Sequence, residues 1–110
     1  MAPRLEDDGQ TITLDLHGAR VAEAERLTEA VVIEAARHGR AIVRLIHGVS
    51  TSEWGDGRRT IKSAIHEMLD DVGFLRHVAS VIREDGHVLL GIAPAPRPIP
   101  GRVRLKDLTS

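Results

Sequence analysis

The sequence predicts an α/β fold with the element order βαβαββ. Two apolar runs, residues 11–16 and 41–46, each lead into a His-Gly pair, and a helix-length amphipathic segment lies between them. A second amphipathic segment follows, and Asp85-Gly86 then separates two further apolar runs in the manner of a hairpin turn. A helix between the first two strands makes them parallel, so their carboxyl ends are expected at one edge of the sheet.

The first three elements follow from the period of their apolar residues. Residues 11–16 alternate between apolar and polar, which indicates a strand with Asp15 and His17 on its more polar face. Residues 20–38 repeat apolar side chains at helical spacing, and Gly39 stands where a left-handed C-cap residue belongs. Residues 41–46 are so apolar that a central, parallel strand is expected.

The second half of the chain continues the pattern. Residues 47–57 form a loop of small residues that contains Trp54. The helix that follows has an apolar face, and residues 78–83 and 87–93 are predicted to form two strands joined by the Asp-Gly turn. The apolar face of this helix comprises Ile61, Ala64, Ile65, Met68, Leu69 and Val72.

The chain divides into one domain and two arms. Residues 1–10 are polar and predicted to be a frayed N-terminal arm, and residues 11–93 form the domain. Residues 94–110 are a Pro-rich, basic C-terminal arm, in which prolines at alternate positions favour an extended polyproline-like conformation. Its last ten residues are compatible with a short edge strand or with a loose tail.

Composition excludes several classes of protein. With 110 residues, 42% hydrophobic and 28% charged, the chain is long enough for a single folded domain. Trp54 and Phe74 are its only aromatic residues, so the core is aliphatic and recognition by stacking several bases is disfavoured. The absence of cysteine excludes disulfides and zinc–thiolate sites.

Charge and hydropathy give further expectations. The net charge of −1 exerts no overall attraction on nucleic acid, although the C-terminal arm is basic. No apolar run approaches the roughly 20 residues of a membrane span, and the amino terminus does not have the form of a signal peptide. We therefore expect a cytoplasmic protein without a membrane partner, and a monomer.

Three side chains at the shared sheet edge are candidate catalytic residues: Asp15, His17 and His47. Histidine exchanges protons near neutral pH, and Asp15 could orient the His17 ring and fix its tautomer. His47 could act as the opposite partner or contact a phosphate oxygen. The structural alternatives are a carboxylate that braces the loop and histidines that only end their strands.

A second set of residues indicates a phosphate-binding surface. Gly18 and Gly48 follow the two histidines, where a backbone without a side chain can approach a ligand closely. Arg58, Arg59 and Lys62 follow Gly55 and Gly57 near the start of the second helix, and together they could form an anion site. The alternative is a solvated basic turn, which is favoured for Arg58 and Arg59 taken singly. Trp54 either stacks on a base or covers the core. No role is given to His38, His66, His77 and His87.

Motifs in this order resemble the Smr (small MutS-related) domain. Leu14-Asp15-Leu16-His17-Gly18 reproduces that family's L-D-x-H-G motif, and Leu45-Ile46-His47-Gly48 matches the start of its H-G-x-G motif. The similarity covers residues 11–93. Ser50 departs from it, because it stands where the second motif ends in glycine. On the second helix the positions that match are Ile61, Lys62, Ile65 and Leu69.

The resemblance implies a two-layer α/β sandwich, in which a four-stranded mixed sheet carries two helices on one face, as in the C-terminal domain of a bacterial translation initiation factor. It implies DNA or RNA as the partner, and an endonuclease as the activity. The alternatives are a non-catalytic nucleic-acid- or ribosome-binding module and a small-molecule phosphate or metal-dependent hydrolase. No cofactor or metal site is expected, although Mg²⁺ becomes relevant for DNA, where water must attack the phosphate.

Overall fold

A computed structural model describes residues 2–48 and 60–109. Its strands and helices confirm most of the predicted elements, with ends that differ by one to a few residues. In chain order they are β1 (Arg4–Asp7), β2 (Thr11–Asp15), α1 (Val21–Arg37), β3 (Ile42–Ile46), α2 (Ile61–Leu69), a 3₁₀ helix (Phe74–His77), β4 (Val78–Arg83), β5 (His87–Ile92) and α3 (Leu105–Thr109).

The sheet is mixed, in agreement with the predicted α/β class, and has the strand order β1-β2-β3-β5-β4. As expected, β2 and β3 are parallel, whereas the other neighbouring pairs are antiparallel. The prediction of four strands and of the order βαβαββ is wrong, because β1 adds a fifth strand along the outer edge of β2.

The additional strand lies in the segment that was expected to be a frayed arm. Leu5 pairs with Leu14 and packs against the core. The connection to β2 is a turn in which Asp7 accepts the Gly9 N–H and Asp8 accepts two backbone N–H groups. Gly9 has a φ of 97°, which glycine adopts without strain. A strand with a single apolar residue gives little periodic signal, and this explains the error.

The two faces of the sheet differ in what covers them. The inner face of β2, β3 and β5 and the buried residues of α1 and α2 belong to one hydrophobic cluster. The opposite side, here called the open face, carries half-buried and exposed residues. Its members on β2, β3 and β5 are Thr11, Thr13, Asp15, Ile42, Arg44, Ile46, His87, Leu89 and Gly91.

Strand β3 is central, as predicted, but it is not buried on both sides. Val43 and Leu45 face the core, while Ile42 and Arg44 are exposed on the open face. An apolar sequence such as Ile-Val-Arg-Leu-Ile is typical of parallel strands that are covered on both faces. Here the described residues place helices on one face alone.

The C-terminal segment is packed against the domain, so neither an edge strand nor a loose tail describes residues 101–109. Ala95 and Ile99 donate backbone hydrogen bonds to the last turn of α1, at Ala36 and Arg37. Val103 and Leu108 are buried in the core. Among the residues described, no helix is long and apolar enough to cross a bilayer.

Candidate functional site

The end of β2 holds a short, geometrically defined pair, Asp15 and His17. Asp15 Oδ1 accepts the His17 backbone N–H at 3.0 Å and the ring Nδ1–H at 2.6 Å. Gly18, with a φ of 83°, then turns the chain toward α1. The pair therefore forms within four residues of sequence and needs no distant contact to hold it.

The electrostatics of this pair favour one protonation pattern. Partial burial acts to raise the pKa of Asp15, but the backbone and ring hydrogen bonds from His17 outweigh it and the pKa lies below its usual value. The carboxylate is consequently ionised near neutral pH, and in the neutral form of the His17 ring its hydrogen bond to Asp15 places the proton on Nδ1. Nε2 then carries the lone pair, on a side chain that is 53% exposed. This nitrogen can accept a proton from a ligand.

The two His-Gly pairs are offset by one residue in the sheet. Asp15 pairs with Ile46, and the next N–H, that of Leu16, donates to the Ile46 carbonyl at 2.9 Å. His17 consequently lies beside Gly48, and a Cβ placed on Gly48 would be 3.6 Å from His17 Nε2. Because strand side chains alternate, a shift of one residue moves a side chain to the other face.

His47 therefore lies on the core side of the sheet edge, and His17 lies on the open face. The repeated His-Gly pattern suggests that the two rings meet in one crevice. The structure instead places them on opposite faces of the sheet. The His47 side chain is 8% exposed, and its Nδ1 donates to the Gly48 carbonyl at 2.7 Å. Its Nε2 is buried without a hydrogen-bond partner among the described residues.

His66, on α2, accompanies His47 and was not singled out by sequence reasoning. The two rings meet edge to face, with centroids 5.6 Å apart. Arg83 donates to His66 Nδ1 at 3.2 Å. Burial lowers the pKa of His47 and that of His66, and Lys62 lowers both further; Arg83 adds to the effect on His66. Both rings are thus neutral at pH 7.

Lys62 lies close enough to His47 to lower its pKa. Of the three predicted phosphate-binding cations, it is the one that belongs to the described residues. It lies in the first turn of α2, which a reciprocal pair of hydrogen bonds between Thr60 and Ser63 caps. Its Nζ contacts Asp85 Oδ1 at 3.4 Å. Since the Asp85 side chain is 84% exposed, this pair is easily separated by a competing anion.

The glycines of the two motifs share a backbone conformation that explains why glycine stands at both positions. Gly18 and Gly48 have φ values of 83° and 78°, a region that favours glycine. Gly48 N–H donates to the Gly86 carbonyl at 3.0 Å, so it is not free for a ligand. The remaining predicted contacts lie outside the described residues: Ser50, Trp54, Gly55, Gly57, Arg58 and Arg59.

His87 is a second histidine that sequence reasoning left without a role. It begins β5 directly after the Asp85-Gly86 turn and pairs with Ile46, which in turn pairs with Asp15. These three residues form one row across the open face. The sequence signal for its position is only that it follows the turn, and the pairing of β3 with β5 decides which row of the sheet it joins.

Other features of the described residues lie away from this edge. No cluster of three or more His, Asp or Glu side chains that could hold a metal ion occurs in residues 2–48 and 60–109. A cavity of about 380 Å³ lies between α1 and the 3₁₀ helix. None of the candidate residues lines it.

Comparison with protein families decides the affiliation. The family model of the Smr domain matches residues 14–88, more than half of the 110 residues. The chain belongs to the Smr domain family. The matched segment begins at Leu14 and ends at Val88, and so contains the Asp15–His17 pair, His47, Lys62 and His87. Smr domains in general bind nucleic acids, and the family is nucleic-acid-binding or endonuclease-like.

No curated protein and no solved structure matches the chain. The likeness to the C-terminal domain of a translation initiation factor therefore stays a prediction.

Proposed function

We propose that this Smr domain is an endonuclease that cleaves phosphodiester bonds over the open face at the end of β2. The observation that supports the proposal is the 2.6 Å hydrogen bond between Asp15 and the exposed His17 ring. Asp15 fixes the ring tautomer and compensates the positive charge that the ring gains, and Nε2 takes the proton from the attacking hydroxyl. Such proton transfer contributes about 10²–10⁴-fold to a rate.

The phosphate is held close to the two motif glycines. Gly18 and Gly48 add no side chain of their own beside His17. Lys62 supplies positive charge from the start of α2, and Arg58, Arg59 and Trp54 supply further contacts from the segment that joins β3 to α2. Gly48 contributes by leaving space and not by donating, since its N–H is already bonded.

His47 is assigned a supporting part in this proposal. Its Nδ1–H holds the Gly48 carbonyl, and Gly48 lies against His17. It positions the glycine and does not itself contact the scissile phosphate.

A non-catalytic nucleic-acid-binding module is the second candidate. The burial of His47 favours it, because the imidazole predicted to face His17 is turned toward α2. Such a module would use the same cations and glycines to hold the phosphate backbone, with an affinity that falls as salt rises.

Cleavage assays separate the two. End-labelled single-stranded RNA and supercoiled plasmid are incubated with wild-type protein and the variants His17→Ala and His77→Ala, each in EDTA and in Mg²⁺. His77 precedes β4 at the opposite end of the sheet and serves as the matched control. We expect His17→Ala to lower cleavage by about 10²–10⁴-fold, while retaining binding, and His77→Ala to cleave like wild type.

Wild-type protein that binds in every lane but cleaves in none would establish the binding module. Cleavage that persists undiminished in His17→Ala would place the active site elsewhere. The comparison between EDTA and Mg²⁺ shows whether Mg²⁺ contributes to cleavage.

A further inference from the structure

The open face carries a second imidazole in the same row as Asp15. Asp15 pairs with Ile46, and Ile46 pairs with His87. Neighbouring strands lie about 4.8 Å apart, so the Asp15 and His87 backbones are about 10 Å apart. Val88, Leu90 and Ile92 point into the core, and the alternation along β5 therefore puts His87 on the open face.

Glycine backbone links the neighbourhood of His17 to the start of β5. His17 Nε2 lies 3.6 Å from the point that a Cβ on Gly48 would occupy. Gly48 N–H in turn donates to the carbonyl of Gly86, the residue before His87. A side chain on Gly48 would point at His17, so glycine at this position leaves room for a ligand beside the His17 ring.

His47 is poorly suited to exchange protons with a ligand on this face. One of its ring nitrogens donates to the Gly48 carbonyl, and the other is buried on the core side. His66 is directed at the same buried region, with its Nδ1 bonded to Arg83. Among the described histidines near the β2 end, this leaves His17 and His87 on the open face.

We propose that His87 is the second proton-transfer residue of this site; the inference rests on the proposed endonuclease function, with RNA as the nucleic acid that is cleaved. Two imidazoles on either side of a phosphate suffice for RNA, because the 2′-hydroxyl is the nucleophile. For DNA, a water must be activated, which commonly involves a metal.

In the proposed reaction, one ring accepts a proton and the other donates one. His17 Nε2 takes the proton of the 2′-hydroxyl, the O2′–P bond forms, and the P–O5′ bond breaks. The imidazolium of His87 gives its proton to the departing O5′. The products are a 2′,3′-cyclic phosphate and a 5′-hydroxyl end. His17 leaves the step protonated and His87 neutral, and exchange with water restores both.

The test uses a leaving group that needs no proton. One substrate is a DNA strand with a single ribonucleotide. The other is the same strand with sulfur in place of the 5′-bridging oxygen at that position, because a thiolate leaves far more readily than an alkoxide. His87→Ala is expected to cleave the oxygen substrate about 10²–10⁴-fold more slowly than wild type and to recover most of this loss on the sulfur substrate.

The remaining variants assign the roles. His17→Ala is expected to lose cleavage of both substrates, since both need the 2′-hydroxyl activated. His87→Gln, which keeps a polar side chain of similar length, repeats the His87→Ala test if that variant unfolds. His77→Ala is the control at the far end of the sheet, and the strand without its ribonucleotide is expected to remain intact.

Equal cleavage by His87→Ala or His87→Gln and wild type would overturn the role of His87, and so would an equal loss on both substrates. Recovery on the sulfur substrate in His47→Gln, with none in the His87 variants, would assign the proton to His47. Equal cleavage of the all-DNA strand would overturn the choice of RNA. If wild-type protein cleaves neither substrate, the proposed endonuclease itself fails, and this inference with it.

Discussion

Two aspartates on neighbouring strands form pairs with opposite consequences. Asp7, at the end of β1, binds Arg40, and Asp15, at the end of β2, binds His17. The side chains of the first pair are 1% and 10% exposed, and His17 is 53% exposed. Both carboxylates have pKa values below the usual one, so both are ionised near neutral pH.

What separates the pairs is how completely their polar atoms are used. Asp7 accepts two bonds from Arg40 and the N–H groups of Gly9 and Val103. Arg40 also donates to the carbonyls of His38 and Gly101. This network connects β1, the end of α1 and the C-terminal segment. Among the residues that the structure describes, Asp15 by contrast bonds only to His17, and His17 Nε2 has no hydrogen-bond partner. The Asp7–Arg40 pair stabilises the fold, and the Asp15–His17 pair is the one that we propose for catalysis.

Removing the Asp7–Arg40 pair should have the largest effect on stability. Asp7→Ala leaves Arg40 buried without its partner, which costs about 3–5 kcal/mol. Asp15→Ala breaks a pair near the surface and should cost less than about 1 kcal/mol. Urea unfolding of both variants measures the difference. Equal losses would mean that burial does not distinguish the two pairs.

Asp15→Asn tests whether the Asp15–His17 pair contributes to cleavage and not to stability. The amide keeps the shape of the carboxylate but carries no charge to compensate protonated His17, so we expect cleavage to fall by about 10²-fold with unfolding nearly unchanged. Steady-state cleavage, set beside thermal unfolding, tests this. A drop in stability without a drop in rate would make Asp15 a structural residue like Asp7.

Gly48→Ala tests the glycine beside the Asp15–His17 pair. A side chain at a φ of 78° is strained by about 1–2 kcal/mol, and its Cβ would meet His17 Nε2 at 3.6 Å. We expect both lower stability and slower cleavage. Gly101→Ala, at a φ of 101° with open space for a Cβ, is the matched control for backbone strain alone. Slower cleavage in the control as well would remove the specific role of Gly48.

The smallest expected effect is a pH dependence of stability that arises from the buried histidines. The pKa values of His47 and His66 are lowered in the folded protein below the usual 6.5, so the unfolded chain binds more protons. Their contribution to stability is present in full above pH 6.5 and declines as the pH falls through their folded pKa values. Asp7 and Asp15, lowered from 3.8, act only in more acidic solution.

Urea unfolding between pH 8 and pH 5 measures this dependence without interference from the aspartates. His47→Gln should flatten the curve over that range. An unchanged curve would show that His47 does not contribute to it.

Local sequence was sufficient for the Asp15–His17 pair. Its two residues are adjacent on one strand face, the turn at Gly18 follows directly, and the L-D-x-H-G motif indicated both members. The same holds for α1, which ends before Gly39 at a φ of 72°, and for the Asp85-Gly86 hairpin. In each case the interactions that fix the structure lie within a few residues of one another.

The tertiary structure decided whatever depends on pairing between distant segments. The β2–β3 register, offset by one residue from the repeated His-Gly pairs, placed His47 in the core and put Gly48 beside His17. The β3–β5 pairing brought His87 into the row of Asp15, and Arg40 drew β1 and the C-terminal segment together. Periodicity shows which residues share a face of one strand, but the face that two strands have in common depends on their register, which arises only when the whole sheet assembles.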